Sequence, residues 1–192
     1  MKLYLLSCRN IQRYARRILP LLPEQRQLSY ARSGSGLTLG AGLLLASVLK
    51  VRRDQDLSFG PCGKPFLVNG GPEFSLSHSR EHVLLGVSDA PIGVDLEQKG
   101  RQLSQAVRAR ICLPQEKELD PLQVFTRKEC AMKLTGLGFS LPLEQIDTTV
   151  DFPWQGRAYR FFTTESEGYV ISIISAEDAL SEIQRLTPEE LV

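Results

Sequence analysis

Four stretches of this 192-residue chain hold residues whose types and spacing could do chemistry. The first is "IGVDLE", residues 92–97, where two carboxylates stand one residue apart inside an apolar run. Side chains on a strand alternate between faces, so Ile92, Val94 and Leu96 point one way and Gly93, Asp95 and Glu97 the other. Asp95 and Glu97 then share a face, close enough to hold one hard cation, and Gly93 leaves space beside them for a ligand or a backbone. Two like charges buried without partners would cost several kcal/mol or take up a proton, a conflict that a divalent ion removes. Mg²⁺ suits such a place, since it is typically held by one or two carboxylates, waters and substrate phosphates. Taken alone, the same pattern also fits the solvated face of a strand.

The second stretch is "FTRKECAMK", where Glu129 and Lys133 are i, i+4 neighbours on a helix and share a face with Phe125. Without context that is a surface ion pair worth a few tenths of a kcal/mol. The third is "FSLSHS" with Ser77 and His78, and a single His on a strand is most often a structural hydrogen-bonder. In the fourth, "GKP", Pro65 restricts Lys64 to an extended backbone and Gly63 frees the preceding turn.

The elements that must position these residues follow from pattern. "KLYLLS" reads as a strand, and residues 10–32 as a helical stretch broken at Pro20 and Pro23. An apolar helix is expected from Thr38 to Lys50, then a Gly/Pro-rich passage with at least two turns. "FSLSHS", "HVLLGVSD" and "PIGVDLE" are spaced as an antiparallel meander. Residues 102–119 read as a helix, a break at Pro114 and a second short helix. The next helix, Leu122 to Thr135, ends at Gly136. "AYRFFTT" and "GYVISIIS" are two further strands, followed by a polar, frayed tail. The expectation is an α+β protein of two lobes, residues 1–90 and 91–192.

Composition narrows the class. No apolar run approaches the roughly 18 residues of a membrane span. The first ten residues do not make a secretory signal, so a cytoplasmic protein is expected. Cys8, Cys62, Cys112 and Cys130 are scattered without a C-x-x-C pair, which speaks for reduced thiols and against a zinc or thiol-redox motif. The first 64 residues carry 11 Lys/Arg against 3 Asp/Glu and the remainder 12 against 19, a basic half followed by an acidic one. An anionic ligand on the basic side is expected. No basic run interleaved with aromatics is present, so nucleic acid is not expected.

In order and spacing, "GKP…FSLSHS…IGVDLE…RKECAMK…GLG" resembles the Sfp-type 4′-phosphopantetheinyl transferases, from about Thr38 to Ile146. The resemblance implies a pseudo-dimer of two similar α+β lobes with coenzyme A in the cleft between them. It implies transfer of phosphopantetheine from coenzyme A to a serine of an apo acyl or peptidyl carrier protein, releasing adenosine 3′,5′-bisphosphate. Asp95, Glu97 and Glu129 would ligate Mg²⁺, with Mn²⁺ as an alternative. Glu129 would also deprotonate the carrier serine, and Lys133 would stabilise or protonate the departing phosphate. His78 with Ser77 beside it, Lys64 and Thr38 match family positions that contact coenzyme A, and Lys128 is a lesser candidate. Leu37 stands where an arginine is common, and Gln25 and Leu28 where relatives have cations for the 3′-phosphate, which leaves Arg26 or Arg32 to substitute. These departures keep a second class open, a non-catalytic coenzyme A- or nucleotide-binding homologue. A monomer that touches neither membrane nor nucleic acid is expected.

Overall fold

The structure is a computed structural model that describes residues 1–192, the side chain of Phe139 excepted. The chain opens with strand β1 (Lys2–Ser7) and a broken helical run: a 3-10 turn at Ile11–Tyr14, α1 (Ala15–Ile18), a second 3-10 turn at Leu19–Leu21, and α2 (Glu24–Ser33). Pro20 and Pro23 fall at these breaks, where a residue without an N–H cannot continue the ladder. Ser35 caps α3 (Gly36–Val48), its hydroxyl accepting from the Thr38 amide.

The Gly/Pro-rich passage holds a hairpin, β2 (Leu57–Phe59) and β3 (Pro65–Leu67). Strands β4 (Glu73–Ser79) and β5 (His82–Ser88) follow as an antiparallel pair, then β6 (Gly93–Gln98), α4 (Gln105–Ile111) and a 3-10 turn at Pro114–Glu116. Helix α5 (Pro121–Thr135) starts at Asp120, whose carboxylate accepts from the Leu122 and Gln123 amides at 2.7 and 3.3 Å. It stops at Gly136, which takes the left-handed conformation at φ 69°. The chain ends with β7 (Phe152–Trp154), β8 (Arg157–Ser166), β9 (Tyr169–Ser175) and β10 (Ile183–Leu186).

The fold is α+β, built on two four-stranded sheets ordered β10-β1-β5-β4 and β6-β9-β8-β7. Two expectations are corrected here. The meander ends at β5, because β6 leaves that sheet and pairs with β9 over Gly93–Gln98. The tail is not frayed: β10 runs parallel to β1, with Leu3 opposite Ile183 and Leu6 opposite Leu186.

Apolar faces explain the layering. Helix α3 is apolar nearly all round, and Leu39, Leu43, Leu44 and Leu45 are buried with Leu6, Ile11, Ile18 and Leu85 on one side of the first sheet. The opposite side of that sheet gives Leu3, Leu5 and Leu84 to a core shared with Ile92, Val94, Leu96, Ile171 and Ile173 of the second sheet. Helix α5 closes the outer side through Cys130, Ala131 and Leu134, packed with Tyr159 and Ile174. Among the described residues no helix is long and apolar enough to cross a membrane.

Candidate active site

Edge strand β4 of the first sheet lies against edge strand β6 of the second, and alternation aims three serines across the junction. Ser75 Oγ accepts from the Val94 amide at 3.1 Å, Ser77 Oγ donates to Asp95 Oδ1 at 2.6 Å, and Ser79 Oγ donates to Glu97 Oε2 at 3.0 Å. Asp95 and Glu97 therefore share a face, as period-two alternation requires, while Val94 and Leu96 fill the shared core.

Gly93 sets the distance to α5. A Cβ at that position would sit 2.0 Å from the Cys130 carbonyl oxygen, so strand and helix backbones touch where only glycine fits. The space expected beside the carboxylates is thus taken by backbone. That contact brings Lys133 over Asp95: its ammonium donates to Asp95 Oδ1 and to Ser77 Oγ, each at 2.7 Å. One turn back, half-buried Glu129 faces the same carboxylates. Burial and then the negative charge of Asp95 hold the Glu129 carboxyl above its ordinary value. Lys133 pulls it back, Glu97 adds to the rise and Arg101 opposes it.

The carboxylates are unequally satisfied. Glu97 Oε1 is paired with the Arg101 guanidinium, which also lies over the Phe125 ring at 5.1 Å. Asp95 is only 5% exposed, and its Oδ2 is buried with no hydrogen-bond partner. A buried anionic oxygen without a donor is costly, and together with Glu129 it offers hard-oxygen ligation to a divalent ion. The donor chemistry fits Mg²⁺. As the side chains stand, however, no three His, Cys, Asp or Glu residues among those described are grouped to hold a metal, and Glu97 is engaged by Arg101 and Ser79.

The remaining sequence candidates separate. Lys64, immediately before β3, reaches α5, its ammonium donating to the Leu134 carbonyl near the C-terminal end of the helix at 2.9 Å. Burial lowers its pKa. Lys64 and Lys133 together line a cleft of about 240 Å³ between β4 and α5, with Ser75 and Gly136. Ser77 is buried against Asp95, whereas His78, next along the strand, is exposed on the other face. Thr38 occupies the first turn of α3. Arg26 is not part of that cleft; it lines a separate hollow of about 230 Å³ with Arg53, Asp54 and Phe59.

Lys128 is corrected. It is 1% exposed and ion-paired at 3.1 Å with Glu116, itself fully buried, and it donates to the Leu143 carbonyl at 2.9 Å. Glu116 also accepts from the Leu113 amide and from the amide and hydroxyl of Thr148, at 2.7–2.8 Å. Lys128 is therefore a structural lock on the outer side of α5, with no surface left for a ligand. Sequence reasoning did not pick out Ser75, Ser79 or Arg101. For the serines the signal was present, since "SLSHS" alternates hydroxyls on the face that carries Ser77.

Comparison with known proteins falls on the same segment. Residues 91–179, which contain β6, α5 and all three carboxylates, match the family model of the 4′-phosphopantetheinyl transferase superfamily. Over that segment the chain is similar to this superfamily. A protein of Synechocystis sp., provisionally named a 4′-phosphopantetheinyl transferase, is 35% identical over 129 residues, covering 57% of this chain and 52% of the relative. The chain spans about half the length of the curated relative it matches.

Proposed function

We propose that this protein transfers the 4′-phosphopantetheine arm of coenzyme A to a serine hydroxyl of an apo acyl or peptidyl carrier protein. The observation that supports it best is the convergence of Asp95, Glu129 and Lys133 at the β6–α5 contact, with Asp95 Oδ2 left without a donor. Asp95, Glu97 and Glu129 would hold Mg²⁺, which when bound neutralises charge on the pyrophosphate oxygens.

The protein's own groups account for the rest. Glu129, with its carboxyl held high by burial and by Asp95, is the base that takes the serine proton. The serine oxygen then bonds to the phosphorus that carries pantetheine, and the bond from that phosphorus to the bridging oxygen breaks. Adenosine 3′,5′-bisphosphate leaves with the bridging oxygen and its electron pair. Lys133, already donating at the site, stabilises the negative charge of this leaving group. Ser77 orients Asp95. Lys64, His78 and Thr38 are the proposed contacts for the nucleotide end, and Arg26, in its separate hollow, is the proposed contact for the 3′-phosphate.

The test is intact-mass measurement of a panel of apo carriers after incubation with coenzyme A and Mg²⁺. Conversion to the holo mass is expected, and Asp95→Ala should slow it by about 10²–10³-fold, the range for loss of one transition-state-stabilising group. Carriers left unmodified here, but converted by a control transferase, overturn the reading. Calorimetric binding of coenzyme A without transfer would then favour a non-catalytic homologue.

A further inference from the structure

Arg101 is the cation of this site that the proposed reaction does not use. It stands four residues beyond Glu97, at the exit of β6, and its guanidinium occupies Glu97 Oε1. The other oxygen, Oε2, accepts from Ser79 at 3.0 Å, so both oxygens of Glu97 are engaged, one by β4 across the junction and one by the loop that follows β6. Phe125, one helical turn before Glu129, carries the guanidinium on its ring at 5.1 Å. Lys133 does for Asp95 what Arg101 does for Glu97. Without a metal ion, two protein cations thus face three carboxylates.

The two cations differ in freedom. The Lys133 side chain is 28% exposed and tied to both Ser77 and Asp95, whereas the Arg101 side chain is 45% exposed. It borders an open hollow shared with Arg80, Lys99 and Glu97. A divalent ion and a guanidinium are like charges competing for one carboxylate, and the guanidinium is the one with somewhere to go.

We infer that Arg101 is a built-in competitor for the metal site: it holds Glu97 in a pair that must open before Glu97 can ligate a divalent ion. Arg101 is a positioning residue acting through Glu97, and the inference rests on the metal-site reading above. Its consequence follows from population arithmetic. Apparent affinity for the ion is reduced by the fraction of molecules in which Glu97 is free, so removing the competitor tightens binding.

The experiment is Mn²⁺ binding to the full chain, followed by the electron paramagnetic resonance signal of free Mn²⁺, with no coenzyme A or carrier present. Arg101→Gln is expected to tighten the Mn²⁺ dissociation constant by about tenfold, as for a competent fraction near one in ten. Arg101→Lys, which keeps a cation at that place, is expected to stay near wild type. Unchanged or weaker binding in Arg101→Gln, with wild type binding normally, overturns the inference and leaves the metal site standing. Weaker binding is what a residue that merely buttresses Glu97 would give. Absence of Mn²⁺ binding in wild type and variant alike overturns both. Unchanged thermal melting of Arg101→Gln confirms that the fold is intact, as expected for so exposed a side chain.

Discussion

Glu129 is placed where its charge is unwelcome, and that has a measurable sign. Its carboxyl is held above the ordinary 4.5 by burial and by Asp95. Between the ordinary and the raised value the folded chain holds more protons than the unfolded one. Stability therefore falls as pH rises through that window, and the cost is fully present above it. In the metal-free protein Glu129→Gln removes this cost, so it should melt higher than wild type at neutral pH. The advantage should shrink as pH drops below the ordinary carboxylate value. The same variant should lose transferase activity, since an amide cannot take the serine proton. Melting curves across pH decide it: a Glu129→Gln protein less stable than wild type at neutral pH removes the charge-repulsion account. At this scale the sequence was informative about Asp95, Glu97, Glu129 and Lys133, because i, i+2 on a strand and i, i+4 on a helix fix faces. It was silent on Lys128. A lysine beside a candidate base reads as a ligand contact until Glu116 is brought beside it by a fold that joins positions twelve residues apart.

At the scale of elements, β6 and α5 form the site by touching. Gly93 allows it, and the Glu116–Lys128 pair on the far side of α5 keeps the helix from turning. Gly93→Ala puts a methyl group into the Cys130 carbonyl, a backbone atom that can yield only if α5 moves off β6. The expected cost is about 1–3 kcal/mol in denaturant unfolding, as for overpacked cores. Activity should fall further than stability alone explains, because Asp95 and Glu129 are pushed apart. A Gly93→Ala protein with wild-type stability and turnover would show that the contact is not what sets the site. The local elements were legible: the strand at "IGVDLE", the helix ending at Gly136 and the breaks at Pro20 and Pro23 all rest on periodicity or on proline and glycine. Partner choice was not. The strands β4, β5 and β6 are spaced as one meander, yet β6 pairs with β9, about 75 residues on, because its Val94 and Leu96 face must be buried between sheets. The parallel strand β10 was missed for the same reason, since "IQRL" is short and half polar, and only its partner β1, at the other end of the chain, makes it a strand.

For the whole molecule, what matters is whether the two sheets are separate folding units. Several features tie them together. Leu3, Leu5 and Leu84 of the first sheet share one core with Ile92, Val94, Leu96, Ile171 and Ile173 of the second. Lys64 holds the end of α5, and the serines of β4 hold the carboxylates of β6. After β9 the chain returns to the first sheet, where β10 covers β1, Ser181 donates to the Met1 carbonyl at 2.9 Å and Arg17 donates to the Val192 carbonyl at 2.8 Å. Neither sheet can lose its structure without exposing apolar surface of the other, so unfolding should be one cooperative transition. Calorimetry is expected to give equal calorimetric and van't Hoff enthalpies. Removing residues 181–192 should lower the single Tm rather than melt one lobe alone, although the deletion lies far from Asp95 in sequence. Two resolved transitions, or a truncated chain that keeps a transition at the wild-type temperature, would mean that the lobes fold independently. The carboxylates of β6 would then depend on lobe docking for the hydroxyls that orient them. A single transition means that the site is as stable as the fold, because the β4–β6 junction that builds it also joins the two sheets.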